Sequence, residues 1–533
     1  MLRKVRTLLA ALVVTAITLL FLDFTGTLHT WLSWLASIQL LPSILSMNFV
    51  IVAALILLTL VFGRIYCSVI CPLGIFQDLL ARLNHRRNKY SYSPAVSWLR
   101  YAMLAVMAVA LVAGVGTVVQ LLSPYSSYGR IATMLLQPLW QLCNNALAFI
   151  AERADSYAFY SVDVWIKSLP VLIVAAVTLV VLVILSWRGG RTYCNTICPV
   201  GTLLSFFARF SWLKIRFDAD KCRDCSLCSK NCKAACIDYK THTVDYARCV
   251  VCGNCISSCQ FGALQYNGAN KTNRTNRTNR TNGTNRANRT NRTNRANGTN
   301  RTNRTNRTNQ PTNPQTSQPA QKPHDASKRS FLLATALATT AAIAQKKEKL
   351  MDGGLAEIED KVAPRRQTPL TPPGSLSAQN MATRCTGCQL CVSECPNHVL
   401  RPSTDLMHLM QPTMSYERGF CRPECTRCSD VCPTGAIKPL DDIEKSSVQI
   451  GHAVFIKKNC VAVTDGVACG NCARHCPAGA IEMVPLDADD PEGAMVPAVN
   501  EQACIGCGAC EYVCPARPFS AIMVEGHEVH KYI

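Results

Sequence analysis

Apolar positions run almost unbroken through parts of the first 200 residues and then give way. Residues 8–22, Phe49–Phe62 with its flanks, 101–122 and 169–187 each approach the ~20 apolar residues that cross a lipid core. Four spanning helices are predicted. Basic residues set their orientation. Arg3, Lys4 and Arg6 precede the first run; Arg82, Arg86, Arg87, Lys89 and Arg100 separate the second from the third; Arg188, Arg191 and Arg209 follow the fourth. The stretches 23–48 and 123–168 carry few. Because cytoplasmic loops collect Lys and Arg, both ends of residues 1–209 are expected in the cytoplasm. Residues 131–150 are apolar but interrupted by Gln137, Pro138, Gln141, Asn144 and Asn145. Such insertions are costly in lipid, so the stretch reads as a helix lying on the outer face.

After residue 209 the pattern changes. Residues 210–266 and 381–533 carry only short apolar pieces, among them the strand-like 454–456 and 521–524, with Gly-Ala-Ile turns at 435–437 and 479–481. Between them, residues 267–326 are Thr-Asn-Arg repeats followed by Pro- and Gln-rich sequence, which cannot build a core and reads as a disordered linker. In residues 327–345, Lys328 and Arg329 lead into a weakly apolar run from Phe331 to Ala344, too short for a span. It resembles a twin-arginine export signal or an anchor, with Lys in place of the first Arg. That route carries folded proteins, which suits a domain that takes up its metal before export.

The membrane part contains a repeat. Gly63-Arg-Ile-Tyr-Cys67-Ser-Val-Ile-Cys71-Pro72-Leu-Gly74 recurs as Gly190-Arg-Thr-Tyr-Cys194-Asn-Thr-Ile-Cys198-Pro199-Val-Gly201. Each copy starts where an outside-to-inside helix emerges, so the domain is a duplicated hairpin about an axis along the membrane normal. A spacing of four places each cysteine pair on one helical face. Two readings stand. Cys67, Cys71, Cys194 and Cys198 form one thiolate site for a metal or a further cluster, or Cys-Pro-x-Gly is an exit turn whose thiols pack as small apolar groups. Proximity of the two pairs decides.

Thirty cysteines in 533 residues exceed what an ordinary cytosolic enzyme uses, and metal sites are the expectation. Cys222, Cys225, Cys228 and Cys232 follow C-x2-C-x2-C-x3-C spacing, and so do Cys249, Cys252, Cys255 and Cys259. This is the spacing of a ferredoxin with two [4Fe–4S] clusters, each taking three thiolates from one run and the fourth from the other. One site is then Cys222, Cys225, Cys228 and Cys259, and the other Cys249, Cys252, Cys255 and Cys232. Zinc needs four thiolates but not this regularity. Lys233 and Gln260 stand where proline usually follows. Four more motifs come later: Cys385, Cys388, Cys391 and Cys395; Cys421, Cys425, Cys428 and Cys432; Cys460, Cys469, Cys472 and Cys476; and Cys504, Cys507, Cys510 and Cys514. All four are followed by proline, and their pattern of exchange is open. About six [4Fe–4S] clusters are expected in all. Cys143 and Cys236 are left over.

Other cofactors find no support. The apolar runs carry no paired histidines, and there is no C-x-x-C-H motif, so no haem is expected; no flavin or nucleotide fingerprint is present. Lys271 and ten arginines from Arg274 to Arg307 supply eleven of the +21 net charge, without interleaved aromatics, so no nucleic-acid partner is read from it. Asp23, His29, Trp31 and Trp34, near the outer end of the first run, are candidates for a quinone pocket or an interfacial aromatic belt.

The chain is thus multi-domain: a polytopic α-helical membrane domain (1–209, four spans, duplicated hairpin), then ferredoxin-like α+β dicluster modules at 210–266 and 381–533. On the paired Cys-x3-Cys-Pro motifs and the ferredoxin runs, residues 1–266 resemble the NapH-type membrane subunit of quinol-dehydrogenase systems. Residues 327–533 resemble the NapG-type four-cluster subunit. The resemblance implies a fusion of the two in a bacterial inner membrane, with 210–266 cytoplasmic and 381–533 periplasmic. It implies electron transfer from the quinol pool, or a cytoplasmic donor, to a partner reductase or carrier protein, with membrane lipid around the helices. No independent substrate site is seen, so the chain reads as an electron-transfer subunit. The alternative is a membrane-anchored maturation or regulatory factor that reduces a partner's metal centre or thiols.

Overall fold

The two halves of the repeat fold alike. In a computed structural model, which describes residues 2–23, 25–83, 90–156, 158–268, 359–490 and 493–533, each long helix ends on a left-handed glycine and restarts as two shorter helices. Phe49–Phe62 stops at Gly63 (φ 75°), followed by Tyr66–Val69 and Pro72–Leu83. Leu169–Gly189 stops at Gly190 (φ 67°), followed by Thr192–Thr196 and Pro199–Ala208. A positive φ costs glycine nothing and ends a helix abruptly. At Gly190 a side chain would also strike the Lys233 carbonyl at 2.5 Å.

Two helices, Leu2–Leu22 and Leu169–Gly189, are long and apolar enough to cross a membrane. Phe49–Phe62 is apolar but has 14 residues. The predicted continuous run 101–122 is corrected: helix Ser97–Val112 ends, Gly114 turns at φ 72°, and Gly116–Leu122 forms a separate helix. The left-handed glycine breaks a run that apolar content alone leaves whole. Ser123 then caps Pro124–Ile131, whose eight residues are all buried. A π-helical turn joins it to Gln137–Arg153. The polar residues flagged in 131–150 have employment here. Asn144 Nδ2 donates to the Tyr160 carbonyl (2.8 Å), and Asn145 pairs with both backbone groups of Val162.

The single-face expectation for each Cys-x3-Cys pair is also corrected. Cys67 and Cys194 lie in the short helices, which end before Cys71 and Cys198. Cys198 is the N-cap of Pro199–Ala208, its thiol taking the Gly201 N–H at 3.4 Å. Proline fits the first turn of a helix, where its missing N–H costs nothing.

Residues 210–266 pair strand Lys214–Phe217 with Leu264–Asn267 and Ile237–Asp238 with Thr243–Val244. In the C-terminal module, strand Val448–Phe455 runs antiparallel to Ile522–Tyr532, and two hairpins flank them, Leu400–Pro402 with Pro412–Met414 and Ile481–Pro485 with Met495–Val499. This module starts before the expected residue 381. Lys361 Nζ donates to the carbonyls of Glu511, Tyr512 and Cys514, and Arg366 pairs with the buried Glu511 at 2.6 Å. Its early residues lack cysteines and so escaped the motif reading. The expected linker and signal segment lie almost wholly outside the described residues.

Both modules belong to one compact unit with the helical residues 2–209, and they sit at opposite ends of those helices. Residues 210–266 meet the arginine-rich end: Trp212 N–H donates to the Leu60 carbonyl, Tyr266 Oη to that of Phe62, and Arg3 to Ser257 Oγ. The C-terminal module meets the other end. Thr117 donates to the Leu406 carbonyl, Lys167 to that of Val392, and Arg427 to that of Thr25.

Candidate iron–sulfur centres

Twenty-four motif cysteines gather in six sets of four, and every motif lends its last cysteine to its neighbour. Cys222, Cys225, Cys228 and Cys259 line one cavity. Cys421, Cys425 and Cys428 with Cys395 line another, and Cys460, Cys469 and Cys472 with Cys514 a third. Cys249, Cys252 and Cys255 face Cys232; Cys385, Cys388 and Cys391 face Cys432; Cys504, Cys507 and Cys510 face Cys476. For residues 222–259 the structure brings Cys259 to Cys222, Cys225 and Cys228, and Cys232 to Cys249, Cys252 and Cys255. The exchange left open by the sequence runs between the first and second C-terminal motifs and between the third and fourth.

Local backbone explains the spacing. In the four motifs with two-residue gaps, a residue in the left-handed region stands two before the third cysteine: Ser226, Gly253, Gln389 and Gly508. Each opens a short helix that turns the third thiol toward the first two. The motifs with longer first gaps use Thr426 and Gly470 there, at negative φ. Backbone donors wait for the fourth thiolate. Ala263, Ala480 and Ala521 N–H groups reach Cys259, Cys476 and Cys514 Sγ at 3.3 Å.

These sets fit [4Fe–4S] clusters. Burial pushes the Cys472 thiol up to about 11 and that of Cys388 up to about 12, so bare thiolates are unfavourable there and a cationic core must compensate them. Zinc fits less well. Four thiolates on one ion lie ~3.8 Å apart, given Zn–S bonds of ~2.3 Å in a tetrahedron. Among the described residues no three thiols come within 4.8 Å of one another.

The Cys-x3-Cys pairs also meet. Cys71 and Cys198 each lie in electrostatic reach of the other three thiols, and all four cysteines are buried. Two arginines cross between the copies. Arg64 of the first donates to the Cys194 carbonyl (3.3 Å), and Arg191 of the second to the Cys67 carbonyl (2.5 Å). Gln77 Nε2 reaches Cys194 Sγ at 3.3 Å.

Known proteins match the same regions. A family model described as a 4Fe-4S binding domain matches residues 46–90 and 170–218, another of that description residues 242–265, and a 4Fe-4S dicluster domain residues 467–517. The methylamine utilization ferredoxin-type protein MauM of Methylobacillus flagellatus is 33% identical over 168 residues, 30% of this chain and 70% of its own. The ferredoxin-type protein NapG of Escherichia coli K12 is 30% identical over 177 residues, 30% of this chain and 75% of its own. The chain belongs to the MauM/NapG family of ferredoxin-type proteins. This MauM/NapG-type chain is therefore an iron–sulfur electron-transfer protein. An uncharacterized protein of Methanocaldococcus jannaschii is 24% identical over 225 residues, 40% of this chain and 69% of its own. No solved structure matches.

Two departures from the ferredoxin pattern acquire roles. Lys233, in a proline position, carries its ammonium to Asp78 at 3.4 Å while its carbonyl accepts from the Arg191 N–H at 2.8 Å. It keys the 210–266 module onto the helical part of this MauM/NapG-type chain. Cys236, one of the two unassigned cysteines, is buried with its sulfur 3.5 Å from Cys232 Sγ, and also hydrogen-bonds Cys249. Both are ligands of one set. Donors to ligand sulfur stabilise the reduced, more negative state. Cys236→Ala is expected to lower that site's midpoint potential by a few tens of mV, since a hydrogen bond nets about 1 kcal/mol and 59 mV is tenfold for one electron. An EPR-monitored redox titration reads it. Cys143 is exposed on Gln137–Arg153.

The four residues considered for a quinone pocket divide. Trp31 and Trp34 are exposed, whereas Asp23 and His29 are buried. Asp23 is consumed by its own turn, accepting from the N–H groups of Thr25, Gly26 and Leu28. His29 Nδ1 faces Glu394 Oε1 at 3.1 Å, between two cluster motif cysteines of the docked module.

Proposed function

We propose that this chain conducts electrons between the two faces of a bacterial inner membrane, from quinol or a cytoplasmic donor to a partner reductase or carrier on the outer face. In this reading residues 1–266 act as a NapH-type unit with four spans, residues 210–266 are cytoplasmic and residues 381–533 periplasmic, and six [4Fe–4S] clusters are bound. One observation carries it: cysteine sets stand at both ends of the same apolar helices. Bound clusters supply one-electron chemistry.

The chain's own residues hold those sets in a row. Gly129, in the buried helix Pro124–Ile131, abuts the Cys388 carbonyl, so the 385 set is the one pressed against the membrane part. The first two C-terminal motifs share ligands with each other. Cys421 N–H then donates to the Cys507 carbonyl at 3.0 Å, joining them to the last two. Tyr416, fully buried, locks the joint by donating to the Gly506 carbonyl at 2.6 Å. Lys445 ties down the loop of the second motif through the carbonyls of Arg422 and Cys425. The 460 set, with Cys469 and Cys472 half-exposed, ends the row.

The test is sidedness. Protease added to spheroplasts is expected to cut within residues 381–533 and to spare 210–266, with the reverse in inverted vesicles. Cleavage of both modules only after lysis, or both only in inverted vesicles, would sink the reading.

A further inference from the structure

We propose that Asp23, His29 and Glu394 bind a divalent first-row metal cation, and that this ion clamps the C-terminal module onto the end of helix Leu2–Leu22. Neither clause rests on the direction of electron flow or the sidedness proposed above.

Geometry is the first argument. The three buried residues each offer one ligand atom, and these atoms lie within 4.8 Å of one another. His29 Nδ1 stands 3.1 Å from Glu394 Oε1 and 4.0 Å from Asp23 Oδ2. Ligands on one tetrahedral ion stand ~3.4 Å apart, given zinc bonds of ~2.1 Å to nitrogen or oxygen. The two separations bracket that value. The 3.1 Å contact makes no hydrogen bond: both ring nitrogens of His29 and both carboxylate oxygens of Glu394 are buried without a hydrogen-bond partner. Two ligands of one ion approach side by side in this way. A histidine that served only to hold Glu394 would aim an N–H at it, because buried polar groups pair.

Preparation of the ligands is the second. Asp23 Oδ1 accepts from the Thr25 N–H, the Thr25 hydroxyl and the Gly26 N–H, while Oδ2 takes only the Leu28 N–H. A carboxylate oxygen has two lone pairs, so the turn that fixes Asp23 leaves Oδ2 one to offer. The Leu28 bond also draws His29, which opens helix His29–Leu32, back beside Asp23. Partners that orient a ligand in this way strengthen its hold on a metal.

Charge is the third. Two buried carboxylates call for positive charge. Arg427 acts on Glu394 only through its field, its guanidinium donating to the Thr25 carbonyl. Lys167 is placed similarly, donating to Gln137 Oε1 and the Val392 carbonyl. Among the described residues neither cation pairs directly with Asp23 or Glu394, whose one close partner is His29. Contact with both carboxylates is thus left to an ion between them. Imidazole with carboxylates suits zinc or manganese.

Position gives the ion its effect. Asp23 and His29 follow the first helix, and Glu394 ends helix Leu390–Glu394, between Cys391 of the 385 set and Cys395 of the 421 set. A cation held by all three ties the helical part to the segment that serves two sets.

The experiment uses the full chain, purified anaerobically in detergent and freed of loosely held metal by passage through mild chelator. It is titrated with Mn²⁺, whose free ion is counted by room-temperature EPR. Manganese favours oxygen and nitrogen over thiolate, so it spares the cysteine sets. Wild type is expected to bind one Mn²⁺ that zinc displaces. His29→Ala and Glu394→Gln should each weaken that binding by at least about tenfold, the loss that even an outer partner of a ligand causes, with iron and sulfide contents kept. Equal binding by wild type and both variants puts the ion elsewhere, with the exposed Asp487, Asp489 and Asp490 as competitors, and overturns the site. A wild type that binds no Mn²⁺ overturns it without any variant. Limited proteolysis then tests the clamp: Mn²⁺ should protect residues 384–398 in wild type and not in the variants. Binding without that protection supports the site and overturns the clamp.

Discussion

Replacing Asp78 by asparagine is expected to loosen the 210–266 module from the helical part and to cost about 3–5 kcal/mol, the usual penalty for stripping one partner from a buried ion pair. Asp78 joins three separated segments: Arg6 of the first helix (2.9 Å), Arg191 of the second repeat (2.9 Å) and Lys233 of the ferredoxin module (3.4 Å). Burial raises its pKa, but the Arg191, Lys233 and Arg6 charges win and hold it well below the usual carboxylate range. The folded pKa lies below the unfolded one, so this stabilisation is complete above the ordinary carboxylate value of 3.8 and is lost progressively as pH falls from there through the lowered folded value. Between pH 5 and 8 it is constant. Asparagine keeps the shape and removes the charge, leaving three cations facing one another. The check is a thermal melt followed by cluster absorbance, with protease sensitivity around residues 209–221. Adding Lys233→Met to the Asp78→Asn chain should restore part of the loss, because one cation fewer remains. An unchanged melt in Asp78→Asn would show that the three cations are otherwise neutralised.

Single alanine replacements of the exchanged cysteines should strip the neighbouring motif's site. Cys395→Ala is expected to lose about four irons from the 421 set while leaving the 385 set loaded, and Cys432→Ala to do the opposite. The two differ in consequence. Cys432 belongs to the set that Gly129 touches, so on the proposed route its loss is expected to interrupt the row at the end nearest the helical part. Cys514 belongs to the far set, so Cys514→Ala should leave the first three C-terminal sites reducible and stop delivery to a partner. Iron and sulfide counts with EPR of each variant decide this. Loss of iron from the motif that contains the mutated cysteine, with its neighbour intact, would mean that the motifs do not exchange.

The cysteine chemistry of this chain is written in its sequence, because cluster ligation demands fixed short gaps and those survive as a countable pattern. The left-handed residue at Ser226, Gly253, Gln389 and Gly508 is local, so the turn that gathers the first three ligands of those four sets is set by neighbouring residues. The fourth ligand is not local. For residues 222–259 two motifs leave one partner each. With four motifs in a row, only packing chooses, here through the Cys421 to Cys507 contact and the long strand pair Val448–Phe455 with Ile522–Tyr532. Apolar runs likewise announced the long helices Leu2–Leu22 and Leu169–Gly189, yet run 101–122 concealed a break at Gly114 that depends on backbone φ rather than on hydrophobicity.

What the sequence by itself determined is thus the iron–sulfur chemistry, the duplicated hairpin and the order of the modules, all carried by spacing, repetition and apolar content. What only the tertiary structure decided is how the parts address one another. Lys233 read as a missing proline and proved to be a docking charge; Asp78 carried no motif and proved to gather three cations. Arg191 read as a topology signal and Arg64 only as part of the repeat, and both proved to cross between the repeats onto the carbonyls beside four buried thiols. Long-range charge pairing leaves no trace in local periodicity, since its partners are chosen by the fold that buries them.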